Sequence, residues 1–133
     1  MNGGDIFEVL VAGATAAQLG TAFLCCDEAG TPATHRKVLS DAATETVFTS
    51  AFSGRPARGF RNTFIEAMAG KPMLPFPQQN TLTGSLRRWA ASAEESEFQS
   101  VWAGTGAAKV RATSAAQLMA TLKQELARAA IRS

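Results

Sequence analysis

The sequence predicts an α/β chain in which helices predominate: a closing helix and strand of a larger sheet, followed by a mostly helical remainder. Three observations carry this. Asp5 and Gly13 bound a short run whose apolar residues Ile6, Val9 and Leu10 recur at helical spacing. A small, apolar stretch, Thr15 to Leu19, then stops abruptly on Gly20-Thr21. Only one other run, Thr46 to Gly54, has the β-branched and aromatic content of a strand. Neither strand has an evident partner, and two strands alone are marginal.

In order along the chain, Asp5 is an N-cap with Glu8 three residues on, a pattern like a capping box, so a helix is expected over 6–12. Gly13 suits the position after it, which favours positive φ. Thr31-Pro32 opens a second helix, expected to run to about Ala43 with Val38, Leu39 and Ala42 inward. "RPARG" is read as a basic turn. Phe60, Phe64 and Met68 fall four apart, which predicts a helix over 60–69 ended by Gly70, with those three in the core. "KPMLPFPQQN" holds three prolines and is expected to be an extended loop. Thr81 caps a helix through Ala91, and 94–99 is short and polar. Ser114 with Gln117 opens a terminal helix bearing Leu118, Leu122 and Leu126.

Composition narrows the function classes. The 133 residues allow one modest domain, and 46% hydrophobic with 18% charged residues describes a globular chain. A formal net charge of +2 carries no nucleic-acid footprint. No apolar run approaches the roughly 20 residues of a membrane helix, and the start lacks the pattern of a signal peptide. A cytoplasmic protein is expected. The only cysteines, Cys25 and Cys26, are adjacent, which suits reduced buried thiols better than a disulfide. Glu94, Glu95 and Glu97 form a solvated charge run with no metal-ligand pattern.

A strand ending in Gly-Thr is one way α/β folds present backbone N–H groups to a phosphate, although such a pair is often an ordinary turn. Arg55, Arg58 and Arg61 share a face if helical, either solvated, facing an acidic substrate or phosphate, or pairing with another part of a larger fold. Trp102 is read either as a core anchor or as a lid over a cofactor. His35, on the second helix, is read as solvated or capping.

Taken together, "GATAAQLGTAFL", "DEAGTPATHRKVL", "TVFTSAFSGRPARGFRN" and "VWAGTGAAKV" resemble, in order and over nearly the whole chain, the C-terminal part of nitronate monooxygenases, formerly called 2-nitropropane dioxygenases. The resemblance implies a C-terminal fragment of an FMN-binding (β/α)8 TIM barrel, its last helix and strand, plus a mostly helical second domain. It divides the chain into a barrel portion over 1–24, a helical domain over 25–100 and a return segment with the terminal helix over 101–133. It implies oxidation of alkyl nitronates by O2 with FMN as cofactor.

By the same resemblance, Gln18, Leu19, Gly20 and Thr21 match the segment that binds the FMN phosphate. Trp102, Gly104 and Gly106, in a W-A-G-x-G pattern, match a segment returning over the flavin edge. Some members carry a serine near Ala103, which has no equivalent here. Gly3 and Gly4 lie past the family's other glycine pair and receive no role. The family's catalytic histidine belongs to an earlier barrel loop, so no catalytic residue is assigned and His35 is not that histidine.

Two alternatives stand beside this reading. One is a catalytically silent fragment or interaction domain, which would self-associate or pair with the rest of a barrel through its exposed edge. The other is an FMN-dependent enoyl-acyl-carrier-protein reductase, which shares the "G-T-x-F" region.

Overall fold

The computed structural model describes residues 1–41 and 45–132. Ala42 and the expected helix end at Ala43 lie outside them. The elements in order are α1 (Gly3–Val11), α2 (Ala33–Ser40), β1 (Thr46–Thr49), β2 (Ala57–Phe60), α3 (Thr63–Ala67), α4 (Gln78–Leu82), α5 (Gly84–Ser92) and α6 (Ala115–Ile131). Single 3-10 turns lie at Thr21–Phe23, Ser96–Phe98 and Ala107–Lys109. The chain forms two compact units: Met1–Thr31 with Gly106–Ser133, and Pro32–Thr105.

The first unit is built on α1 and α6. α1 starts earlier than Asp5 predicts, because Asn2 is the stronger cap. The Asn2 side chain accepts from the Asp5 N–H at 2.9 Å, and Asp5 accepts from the Asn2 N–H at 2.8 Å. Asp5 is therefore the residue that closes the capping box, three after the cap, not its first. Gly13, at φ +99°, ends the helix as expected. α6 begins where Ser114 and Gln117 place it, with the Gln117 N–H donating to Ser114 Oγ at 3.2 Å. Leu118 and Leu122 are buried with Ala22 and Cys26, and Ile6, Leu19 and Phe23 pack against them. Both cysteines are free and buried.

Gly3 is the close-approach point of the two helices. A Cβ there would collide with the Leu126 nitrogen and with Glu125. That proximity lets Glu125 accept the Gly3 N–H at 2.8 Å, a carboxylate at a helix N-terminus, while its other oxygen takes Arg111 at 2.8 Å. The Gly3 N–H and then Arg111 hold the Glu125 carboxyl below its ordinary range. Lys109, at 2.9 Å, and the Asn2 N–H do the same for Asp5.

Both groups therefore contribute stability that is complete above about pH 4.3 and is lost as pH falls through their lowered folded values. Circular-dichroism melts between pH 7 and 3 should show the first unit weakening on the acid side. Glu125→Gln should flatten that slope.

The Thr15–Leu19 strand does not form. Among the described residues no segment pairs with it, and a strand exists only with a partner for its backbone groups. Residues 14–16, 18 and 20 are exposed.

In the second unit the expected strand over 46–54 is cut to 46–49, and Ala51–Gly54 turns instead. The partner expected to be missing is the "RPARG" segment. Its last residues form β2, antiparallel to β1 with Thr46 opposite Phe60 and Thr49 opposite Ala57. Phe60 belongs to this strand, so α3 starts only at Thr63, capped by Asn62 Oδ1 accepting from the Ile65 N–H at 3.0 Å. Phe60 is buried as expected, whereas Phe64 and Met68 are half-buried.

The three arginines do not share a helical face. Arg55 stacks on Phe76 at 4.3 Å, Arg58 on Phe48 at 4.1 Å, and Arg61 pairs with Glu45 at 3.0 Å. Glu97 is not merely solvated either: it accepts from the Thr63 N–H at 2.8 Å and so completes the start of α3. Thr81 does not cap the next helix; two short helices meet at Thr83, whose buried hydroxyl donates to the Phe52 carbonyl at 2.6 Å.

The core of this unit centres on Phe52, 1% exposed, with Leu39, Ala51, Phe60, Ala90, Val101 and Ala103 also buried. Phe52 meets Phe64 at 4.7 Å and the edge of Trp102 at 5.8 Å between ring centroids. Buried amides fasten the irregular segments around it. Gln79 donates to the Ala51 carbonyl at 2.7 Å, Asn62 to Gln99 at 2.9 Å, and Gln99 to Ala90 at 3.0 Å. Each ties a buried side-chain amide to a backbone carbonyl of another segment, which keeps the amide itself satisfied.

Candidate functional site

Gln18 to Thr21 and Gly106 lie in the first unit, Trp102 and Gly104 in the second. At Gly20 the backbone has φ −109° and ψ −68° and leads into the 3-10 turn Thr21–Phe23. That turn closes with the Phe23 N–H donating to Gly20 at 3.0 Å and the Leu24 N–H to Thr21 at 3.1 Å. Leu19 packs on the buried Ala22–Cys26–Leu118–Leu122 cluster, so the segment has an anchored back and exposes Gln18 and Gly20.

Gly20 is the informative residue. A Cβ there meets nothing within 4 Å, and its negative φ is open to any residue. Neither packing nor backbone within this chain asks for glycine. Gly106 differs: a Cβ there would lie 2.9 Å from the Met1 nitrogen, so local packing alone accounts for its glycine.

Trp102 sits on β2. The Phe60 N–H donates to Val101 at 3.0 Å and the Ala103 N–H to Arg58 at 3.1 Å, so 101–103 runs as a further short edge beside the hairpin. Gly59 lies beneath the indole, where a Cβ would come within 2.9 Å of the ring. Trp102 is thus a half-buried core anchor through Phe52 and Gly59. Gly104, two residues on, is half-buried.

His35 is half-buried and is not a cap. Its Nε2 lies 3.0 Å from the Trp102 carbonyl, and burial lowers its pKa, partly opposed by that hydrogen bond. No sequence signal links two residues 67 apart.

The second unit also holds a cleft of about 400 Å3 lined by Lys37, Asp41, Arg61, Asn62, Glu94 and Glu97 among others. Arg61 and Glu97 are engaged with Glu45 and Thr63. Among the described residues no three His, Cys, Asp or Glu side chains gather as metal ligands. No helix among them is long and apolar enough to cross a membrane.

A family model described as nitronate monooxygenase matches residues 1–125. This chain belongs to the nitronate monooxygenase family. It is 41% identical over 130 residues to a nitronate monooxygenase of Pseudomonas aeruginosa, covering 95% of this chain and 37% of that protein. It is 40% identical over 131 residues to one of Paraburkholderia phytofirmans, covering 95% and 36%. The chain therefore spans a little over a third of the length of these nitronate monooxygenases.

Among solved structures it is similar to a nitroalkane oxidase from Streptomyces ansochromogenes, with TM-score 0.94 and 42% identity over 99% of this chain and 38% of that one. FabK from Thermotoga maritima shares the fold, with TM-score 0.77 at 22% identity over 98% of this chain and 43% of that chain.

Proposed function

We propose that this chain forms the C-terminal part of an FMN-dependent nitronate monooxygenase, in which Gln18–Thr21 grips the cofactor phosphate. The observation that carries this is Gly20: a glycine that the chain itself does not need, at the head of a turn, in the segment that resembles the family's phosphate-binding motif. The residues fit the group. Leu19 anchors the segment, Gly20 leaves room for the anion to approach the backbone, and Thr21 adds a hydroxyl.

When bound, FMN supplies the redox chemistry between an alkyl nitronate and O2. This chain's residues bind and orient. Trp102 and Gly104 form the segment assigned to the flavin edge, with Gly106 the weaker member because Met1 already explains it. The catalytic base and the remaining cofactor contacts belong to barrel elements outside these 133 residues.

The unpaired stretch 15–19 is then the last barrel strand, completed by neighbouring strands of that barrel. Val9 and Val11, 38% and 69% exposed on α1, are part of the apolar surface such a neighbour covers. Alone, the chain is expected to self-associate.

The enoyl-acyl-carrier-protein reductase reading rests only on the shared "G-T-x-F" region. The test is activity of the enzyme carrying this chain. Oxygen uptake on an alkyl nitronate, strongly reduced by Gly20→Val, is expected. NADH-dependent enoyl reduction without nitronate oxidation would overturn the assignment.

A further inference from the structure

In an antiparallel pair, successive residues of an edge turn their backbone groups alternately toward and away from the partner. The Val101 carbonyl and the Ala103 N–H are spent on Phe60 and Arg58 of β2, so the backbone groups of Trp102 face the other way. The Trp102 N–H is taken locally by Ser100 at 3.1 Å, and its carbonyl meets His35 Nε2 at 3.0 Å. The segment is thus held on one side by β2 and on the other by α2, the helix carrying His35.

A carbonyl oxygen only accepts, so Nε2 carries the proton and Nδ1 keeps its lone pair in the neutral ring. The imidazolium would donate from the same nitrogen, so the bond does not depend on the charge state. Nothing else of α2 is hydrogen-bonded to Trp102 among the described contacts.

We propose that His35 is a positioning residue: its Nε2–H latches the Trp102 carbonyl and holds the Trp102–Gly104 segment against β2. Its consequence for the cofactor rests on the reading above that this segment lies at the flavin edge. The latch itself does not.

His35 is the only histidine in the chain, so a long-range 1H–15N spectrum reports its tautomer without ambiguity. The latch predicts the Nε2–H form at neutral pH; the Nδ1–H form would overturn it, and this reading needs no variant. Hydrogen exchange of the Ala103 and Phe60 amides gives the second readout. His35→Phe keeps the bulk and removes the donor, and exchange at both amides should rise about tenfold, the ceiling for one net hydrogen bond. The Thr83 amide, bonded to Gln79, should be unchanged and marks local rather than global loosening.

His35→Gln, which restores an N–H donor, should recover most of the protection. Unchanged exchange in His35→Phe, or equal acceleration in both variants, would overturn the latch. FMN affinity separates the two claims. If His35→Phe loosens the segment yet leaves FMN binding unchanged, the latch stands and the placement of the segment at the flavin edge fails.

Discussion

Phe52→Ala will lower the unfolding free energy of the Pro32–Thr105 unit by about 3–5 kcal/mol. Phe52 is 1% exposed and is the meeting point of that unit's separate pieces. Its ring touches Phe64 of α3 and Trp102 of the edge segment, and its carbonyl receives the Thr83 hydroxyl at the α4–α5 junction. Removing the ring leaves a void that the neighbouring rings of Phe64 and Trp102, carried on α3 and on the segment paired with β2, fill only in part. The aromatic contacts, each contributing about 0.5–1.5 kcal/mol beyond burial, are lost as well. Urea unfolding followed by tryptophan fluorescence is the check, since Trp102 lies beside the site. A loss below about 1 kcal/mol would mean that the unit is not organised around this side chain.

Gly3→Val will destabilise the first unit by about 3 kcal/mol or more. The added side chain enters the backbone of α6 at Leu126 and Glu125, which has no flexible end to yield. Pushing α1 away also breaks the Glu125–Gly3 bond, a charge-assisted contact at a helix start. Gly20→Val is the control. It enters open space at a negative φ and should shift the thermal midpoint little. The pair separates a glycine that packing demands from one that packing does not. Equal destabilisation by both would remove the argument for Gly20 as a cofactor contact.

What the sequence made legible was local. The α6 start is set by Ser114 and Gln117 within one turn, and the end of α1 by Gly13, so both were readable. The cap of α1 was misplaced by three residues because Asn2 and Asp5 are both good caps, and only the reciprocal bonds choose between them. β2 was read as a turn because its arginine and glycine hide a strand whose identity comes from β1 beside it. Phe60 fits a helical period and a strand equally well, and pairing decided for the strand. The Thr15–Leu19 stretch shows the converse: strand-like residues without a partner make no strand.

The candidate site was legible as a motif and not as geometry. Gln18–Thr21 follow from a resemblance, whereas the distinction between Gly20 and Gly106 needed the space around each. His35 was misread because its partner lies 67 residues away, and no periodicity encodes such a contact. Of the three arginines only Arg58 lies in a strand, so no shared helical face arises, while Arg55 and Arg61 are exposed as a solvated reading expects.

The most direct measurement compares FMN with riboflavin, which lacks the phosphate, by flavin fluorescence quenching on the 133-residue chain. About two or three backbone or hydroxyl donors, each contributing about 1.5–3 kcal/mol to a charged group, support binding only on the order of millimolar once association costs are met. The account predicts weak, saturable quenching of FMN, clearly stronger than of riboflavin, with the difference abolished by Gly20→Val and by Thr21→Ala. Equal behaviour of the two flavins, or an FMN preference that survives both substitutions, would contradict the claim that this segment grips the phosphate.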